Sequence, residues 1–368
     1  MAQSTLRPAR PAPALGPSWP ARVRRDLLGT PTSAVVSAVL LLVLAWALWH
    51  LVDWALVHAV WVADPDRCQA ARGTGACWGV IREKGRLIVL GRYPWGEAWR
   101  PIAGTLLLVL GAAAMLGASR RHWLLAAGPL GVVAFVWLMG GGLGLPRVTT
   151  DLWGGLPLTL FLTIASLLLA FPLALALALG RRSELPAVRS LCIAFIEAVR
   201  GVPLISVLFM ASFMLPLLLP PGHTPDTLVR VVVGIALFAA AYMAEVVRGG
   251  LQSIPRAQWE AAASIGLTPW QVQRKVVLPQ ALAAVLPALM NNCLSLLKDT
   301  SLVTIVSLYE LTGALSLALG SDPVWRPFQI ETSLFIGAIY FVLCFALSRA
   351  SLRLERRLAA SRAHPGQP

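Results

Sequence analysis

Gln252–Pro279 reads QSIPRAQWEAAASIGLTPWQVQRKVVLP and joins two apolar runs, Leu228 to Val247 and Val276 to Leu297. The stretch Arg256 to Ile265 is alanine-rich and strongly helix-forming. Gly266 can end that helix in a left-handed conformation at low steric cost. Thr268-Pro269-Trp270-Gln271 opens a second helix, with Thr and Gln spaced as a capping box and Pro at the first helical position. Helix, glycine, helix is thus encoded locally. The small side chains of Ala261, Ala262 and Ala263 allow close approach of a partner, and Trp259 and Ile265 are large enough to fill a groove in it. An amphipathic helix lying on a membrane surface has the same pattern, so local chemistry leaves both readings open.

Working outward, the rest of the chain is membrane-like. Of 368 residues, 57% are hydrophobic and 13% charged, against about 25% charged in a soluble domain. This excludes a disordered chain, a nucleic-acid-binding basic domain and a disulfide-built secreted scaffold. Fourteen Trp suit lipid–water interfaces. Eight apolar runs are expected to be transmembrane helices: Ala34 to Val52, Ile102 to Ala118, Trp123 to Leu145, Leu152 to Leu179, Leu191 to Leu219, Leu228 to Val247, Val276 to Leu297 and Ile330 to Leu347. Ser301 to Gly320 is apolar but contains Thr, Ser and Glu310, and is expected to be a partial or re-entrant segment. The fold class is therefore an all-α membrane protein.

The net charge of +14 labels cytoplasmic segments and anionic lipid contacts rather than nucleic acid. With both termini inside, cytoplasmic segments hold Arg22 to Arg25, Arg120-Arg121, Arg181-Arg182, Arg189, Arg248, Arg256, Arg274-Lys275 and Arg353 to Arg357. The loop Asp53 to Arg100 would then be periplasmic, yet it carries Arg67, Arg72, Arg82, Lys84, Arg86, Arg92 and Arg100. It also holds Cys68 and Cys77, for which a disulfide requires that the loop face an oxidising compartment. The expected organisation is a disordered cytoplasmic tail (1–33), an extension of three spans (34–147) with a periplasmic loop (53–100), and a five-span core (148–358). The core carries the loop 252–279, and a short tail follows (359–368).

Charges inside or at the ends of spans are costly and face a bundle interior, an aqueous path or the interface. Glu197/Arg200 and Glu245/Arg248 are i, i+3 pairs, expected to form structural ion pairs. Lys298 and Asp299 offer a cation and an anion side by side near the end of a span, which suits an amino acid's carboxylate and ammonium groups. Asp299 is expected to line the path and meet the ammonium, with Asn292, Thr300 and Ser301 nearby.

The string Glu260-Ala261-Ala262, three residues, Gly266, nine residues, Val276-Val277-Leu278-Pro279 resembles the EAA motif of bacterial ABC-importer permeases, with Val276 where the consensus has Ile. Gly154 to Leu160, Glu197 to Leu204, Ala241 to Gly250 and Leu297 to Leu302 resemble the polar-amino-acid branch of that family, with Val202 where Thr is usual. Gly75 to Trp78 and Tyr93 to Arg100 resemble the first large loop of the M-type permease subunit of general L-amino-acid transporters.

The resemblance implies a five-helix type I importer core preceded by three helices. It implies that Trp259, Glu260, Ala261, Ala262, Gly266, Leu278 and Pro279 couple to an ABC ATPase, with Glu260 orienting the loop by hydrogen bonding. It also implies an ATPase dimer as partner, with ATP and Mg bound there. A second, related permease subunit and a periplasmic amino-acid-binding protein complete the set. The chain itself has no phosphate loop, catalytic triad or metal-ligand spacing, so no enzyme activity and no cofactor of its own is expected. The rival classes are a self-sufficient secondary transporter or channel, which would show internal repeats, and a non-transporting membrane assembly subunit.

Overall fold

A computed structural model describes residues 18–117, 125–220 and 222–363. The expectations for Arg120-Arg121 and for the first 17 and last five residues lie outside the described residues. Among the described residues the chain is helical, with isolated β-bridges and no strand.

The chain divides into two compact units at Trp78/Gly79. The first holds α1 (Trp19–Leu28), α2 (Pro31–Val52) and α3 (Pro65–Ala70). Helix α1 lies within the tail expected to be disordered. A capping box between Thr30 and Ser33 starts α2, none of whose residues is buried; a uniformly apolar surface of that kind suits lipid. After a π-helical turn, Asp53–Val57, the chain folds on itself. Cys68 and Cys77 are disulfide-bonded. Trp78 stacks on Trp61 and donates from its indole N–H to the Ala55 carbonyl at 2.7 Å. This internal packing accounts for Trp78.

The second unit runs through α4 (Gly79–Leu90), α5 (Trp99–Leu116), α6 (Ala127–Gly140), α7 (Gly155–Gly180), α8 (Pro186–Arg200), α9 (Leu204–Phe209), α10 (Leu215–Leu218), α11 (Thr227–Gln252), α12 (Arg256–Ser264), α13 (Pro269–Gln271), α14 (Leu278–Asp299), α15 (Leu311–Gly320) and α16 (Gln329–Ala363). At its centre α7 packs along α11. Ala170, Ala174 and Ala178 on α7 are fully buried, as are Ala240 and Ala244 on α11. Small residues at such spacing let helix axes approach closely, as membrane bundles require. Helix α14 crosses α11 at Gly250, where a Cβ would stand 2.8 Å from the Ala281 carbonyl.

Six helical stretches are long and apolar enough to cross a bilayer: Pro31–Val57, Trp95–Met115, Gly155–Gly180, Thr227–Gln252, Pro269–Val306 and Arg326–Arg356. A bent pair, Pro186–Arg200 and Leu204–Leu218, supplies a seventh. With α6 these account for the eight apolar runs. Two differ from expectation in form. The run Leu191 to Leu219 is bent by 105°, because Pro203 pushes Val202 out of the helical region. Helix α6 has 14 residues, about 21 Å, which is short of a hydrocarbon core of about 30 Å. Positive φ at Gly141 and Gly142 ends it.

Helices α5 and α6, of the segment 34–147, pack on α7 of the segment 148–358. Phe135 of α6 stacks on Phe161 of α7 at 5.0 Å, with Trp153 edge-on to both. Fully buried Arg100 donates to the carbonyls of Leu138 (2.6 Å) and Met139 (3.2 Å), which the end of α6 leaves unpaired, and to that of Pro146 (2.9 Å) in the following loop. Burial pushes the Tyr93 hydroxyl up to about 12, and it donates to Met139 O at 2.8 Å.

Several basic residues of the first loop are likewise engaged in structure. Lys84 pairs with Asp322 at 2.7 Å. Arg86 lies over the Trp95 ring at 3.5 Å and donates to Tyr93 O. Arg92 donates to Asp151 O. At the start of α7, Gly154 and Gly91 meet backbone to backbone: a Cβ on Gly91 would stand 2.5 Å from Gly154 Cα.

Candidate functional site

The loop between α11 and α14 is built as a braced arm. Pro255 precedes α12, which presents Glu260, Ala261 and Ala263 to solvent and buries Ala262. Gly266 has φ +83°, and nothing lies within 4 Å of where its Cβ would be. Backbone conformation, not crowding, requires glycine there. The Gly266 N–H donates to Ala263 O at 2.9 Å, closing the helix end. The capping box forms next: Thr268 N–H donates to Gln271 Oε1 at 3.0 Å, and Gln271 N–H to Thr268 Oγ1 at 3.4 Å.

Helix α13 then continues through a π-helical turn, Val272–Val277, into α14. Pro279 lacks an N–H for the carbonyl one turn back and its ring crowds that carbonyl; the wider turn accommodates both problems. Leu278 packs against the hydrophobic core.

Two features of this arm differ from expectation. Glu260 is exposed and makes no hydrogen bond among the described residues. Trp259 is half-buried rather than exposed. It packs against the chain's own core, with the Arg182 guanidinium 5.2 Å from its ring centroid. The large apolar groups that do face outward are Ile265, 76% exposed, and Trp270, 64% exposed. Trp270 was seen in the sequence only as part of a capping box.

At the far end of α14, Asn292 and Asp299 stand seven residues apart, on one face of the helix. Both are half-buried, and Asn292 Nδ2 has no hydrogen-bond partner among the described residues. Lys298 is exposed and points elsewhere, about 100° round the helix. Ser301 is half-buried. Thr300 is fully buried and its hydroxyl donates to Leu297 O at 2.8 Å. The expectation that Thr300 lines an open path is corrected accordingly.

A turn of 3₁₀ helix, Thr300–Val306, leads to the ten-residue α15, too short to span. Its N-cap is Glu310, fully buried. This carboxylate accepts from Thr312 N–H (2.8 Å), Gly313 N–H (3.0 Å) and Tyr340 OH (2.9 Å), and the Thr159 hydroxyl lies 3.1 Å away. An acid alone in an apolar run was the only sequence signal for this hub.

The ionic residues regroup. Glu245 and Arg248 bond within α11 (Nε–O 2.9 Å). Glu197 and Arg200 do not pair, which corrects the i, i+3 reading. Glu197 accepts instead from Arg181 at 3.0 Å, and Arg181 also reaches Glu245 at 3.1 Å. Arg200, the last residue of α8, lies over the Tyr242 ring. In the sequence Arg181 and Arg182 registered only as loop charge.

Comparison with known proteins places this geometry. The family described as "Binding-protein-dependent transport system inner membrane component" matches residues 170–360. An "Inner membrane amino-acid ABC transporter permease protein YhdY" of Escherichia coli (strain K12) is 42% identical, over 86% of this chain and 88% of that protein. A "Glutamate/glutamine/aspartate/asparagine transport system permease protein BztC" of Rhodobacter capsulatus is 34% identical, over 95% and 96%. The crystal structure of an amino acid ABC transporter with histidines has a chain 31% identical to this one. It superposes with a TM-score of 0.50 over 55% of this chain and 92% of that chain.

Proposed function

The chain belongs to the family of binding-protein-dependent transport system inner membrane components, and from that premise we propose that it is the permease subunit of an ABC importer that carries L-amino acids from periplasm to cytoplasm. It is a multi-pass inner-membrane protein and a transporter subunit. The amino-acid substrate is carried over from relatives named for amino acids. Sharing of 88% and 96% of those proteins' lengths supports the transfer.

The observation that carries the ATPase reading is the braced arm. Ile265 and Trp270 stand exposed on a capped helix–glycine–helix, a shape suited to a groove in a soluble partner. An ATPase dimer, holding ATP and Mg, would close against that surface and rock the helices between outward- and inward-open states. A binding protein would deliver the amino acid from outside, and a second permease subunit would complete the path. Glu260, Ala261, Ala262, Gly266 and Pro279 belong to the arm, with Trp259 and Leu278 on its inner side. Asp299 and Asn292 are the substrate-facing pair, with Lys298 and Ser301 at the margin.

Both termini lie in the cytoplasm in this reading, and the Cys68–Cys77 loop lies outside. Two features support that placement. The disulfide suits an oxidising compartment, and Lys84, Arg86, Arg92 and Arg100 have structural partners, so their charge need not mark a cytoplasmic loop.

The test is uptake of labelled acidic, basic and neutral L-amino acids by cells with and without this chain, its neighbouring subunits intact. Loss of uptake supports the assignment. Unchanged uptake of every amino acid overturns it.

A further inference from the structure

Arg181 and Arg182 are chain neighbours at the end of α7, and they hold different structures. Arg181 Nη1 donates to Glu197 of α8 at 3.0 Å and to Glu245 of α11 at 3.1 Å. It is the tie joining the ends of α7, α8 and α11. Arg182 places its guanidinium over Trp259 of α12 and reaches the Leu251 carbonyl at the end of α11 at 3.4 Å. Arg182 is thus in contact with α12 through Trp259, and one peptide bond separates Arg182 from the tie.

We propose that Arg181 and Arg182 form a latch in which Arg182 receives the movement of α12 through Trp259, and Arg181 releases α8 and α11 in response. The inference rests on α12 being the arm that the ATPase moves. Both arginines are positioning residues, remote from the substrate.

The energetics of release are favourable to a reversible device. Removing one partner from a buried ion pair is costly because it strands the other charge. Here neither carboxylate would be stranded. Glu245 retains Arg248, at 2.9 Å from its Nε. The Glu197 side chain is 55% exposed and can be hydrated. The Arg181–Glu197 pair, partly exposed, is individually weak, and the more shielded Arg181–Glu245 pair leaves Glu245 on Arg248 when it opens. The cation over the Trp259 ring is held by contact with its face rather than by a buried ionic bond, so it tolerates a sliding motion of α12.

The test uses the whole complex in proteoliposomes: this chain, its ATPase, the second permease subunit and the binding protein. Amino-acid uptake and ATP hydrolysis are measured together, with and without loaded binding protein. Arg182→Gln removes the cation from Trp259 at an exposed position. It is expected to co-purify with the ATPase and to lose roughly fivefold or more in uptake per ATP hydrolysed, the lower range of coupling between sites. Arg182→Lys, which keeps a cation, is expected to recover part of that ratio. Arg181→Gln is expected to raise hydrolysis in the absence of loaded binding protein, because the tie is already open.

A wild-type ratio in Arg182→Gln overturns the latch, and so does loss of the ATPase from that variant, which would assign the residue to assembly. Should Arg181→Gln fail to accumulate in membranes, Arg182→Gln decides alone. A wild-type complex that takes up no amino acid overturns the transport reading instead, which keeps the two failures distinguishable.

Discussion

The Thr159 hydroxyl lies 3.1 Å from the Glu310 carboxylate, across 151 residues of chain, and both residues are fully buried. Thr159 Oγ1 also accepts from the Leu311 N–H at 3.1 Å, and Tyr340 donates to the same carboxylate. One acid thus holds the start of α7, the start of α15 and the middle of α16. Deleting a donor should cost about 1–3 kcal/mol, because it leaves a buried acceptor short of a partner. Tyr340→Phe is therefore expected to lower the thermal unfolding temperature in detergent, and Glu310→Ala to lower it further. Equal melting of Glu310→Ala and wild type would remove the hub from the structural account.

Two glycines separate conformation from space. At Gly266 the backbone is left-handed with open surroundings, so Gly266→Ala should cost only the strain of that conformation, roughly 1–2 kcal/mol. The variant is expected to fold, assemble and import poorly, because the angle between α12 and α13 shifts. At Gly154 a Cβ would stand 2.7 Å from the Tyr309 carbonyl and 3.0 Å from Gly91 Cα. Gly154→Ala forces backbone apart and is expected to reduce accumulation in membranes. Immunoblot of membranes alongside uptake distinguishes the two outcomes.

Lys84 and Asp322 make a pH-dependent tie between α4 and the turn before α16. The hydrogen bond and charge of Lys84 hold the Asp322 carboxyl below its ordinary value. A depressed carboxyl pKa stabilises the folded chain above the unfolded value, about 3.9, and that contribution is lost as pH falls through the folded value. The pair is part-exposed and is worth under about 1 kcal/mol. Asp322→Asn should therefore lower the melting temperature slightly at pH 7, and the difference from wild type should shrink as pH falls below about 3.9. A difference that persisted undiminished there would exclude the ion pair as its cause.

Much of this architecture is legible in the chain because lipid imposes one rule on every span. Apolar length found the eight segments, and Gly266, Thr268 and Gln271 announced their turn and cap through local chemistry. What was not legible depends on contacts far apart in sequence. The i, i+3 spacing of Glu197 and Arg200 permits a pair, but Arg181, sixteen residues earlier, takes Glu197. Trp259 has the size of an anchor, yet its direction is set by Arg182 and the core. The surplus positive charge of the first loop reads as a violation of topology until Lys84, Arg86, Arg92 and Arg100 find partners outside their own helices.

That same loop supplies a test of orientation. The Cys68–Cys77 bond closes a short stretch with a sequence separation of 9; just before it, α3 is capped by Asp64 accepting from the Asp66 and Arg67 N–H groups. Disulfides of short loops stabilise by about 2–4 kcal/mol, chiefly by restricting the unfolded segment. With this loop outside, a membrane-impermeant reductant added to spheroplasts should free both thiols for an impermeant maleimide. Cys192, Cys293 and Cys344, in apolar helices, should stay unlabelled. Reduction should also raise cleavage by added protease between residues 58 and 78, since the segment loses its closure while the spans on either side remain in lipid. Labelling only after the membrane is permeabilised would place the loop in the cytoplasm and reverse every span that follows it.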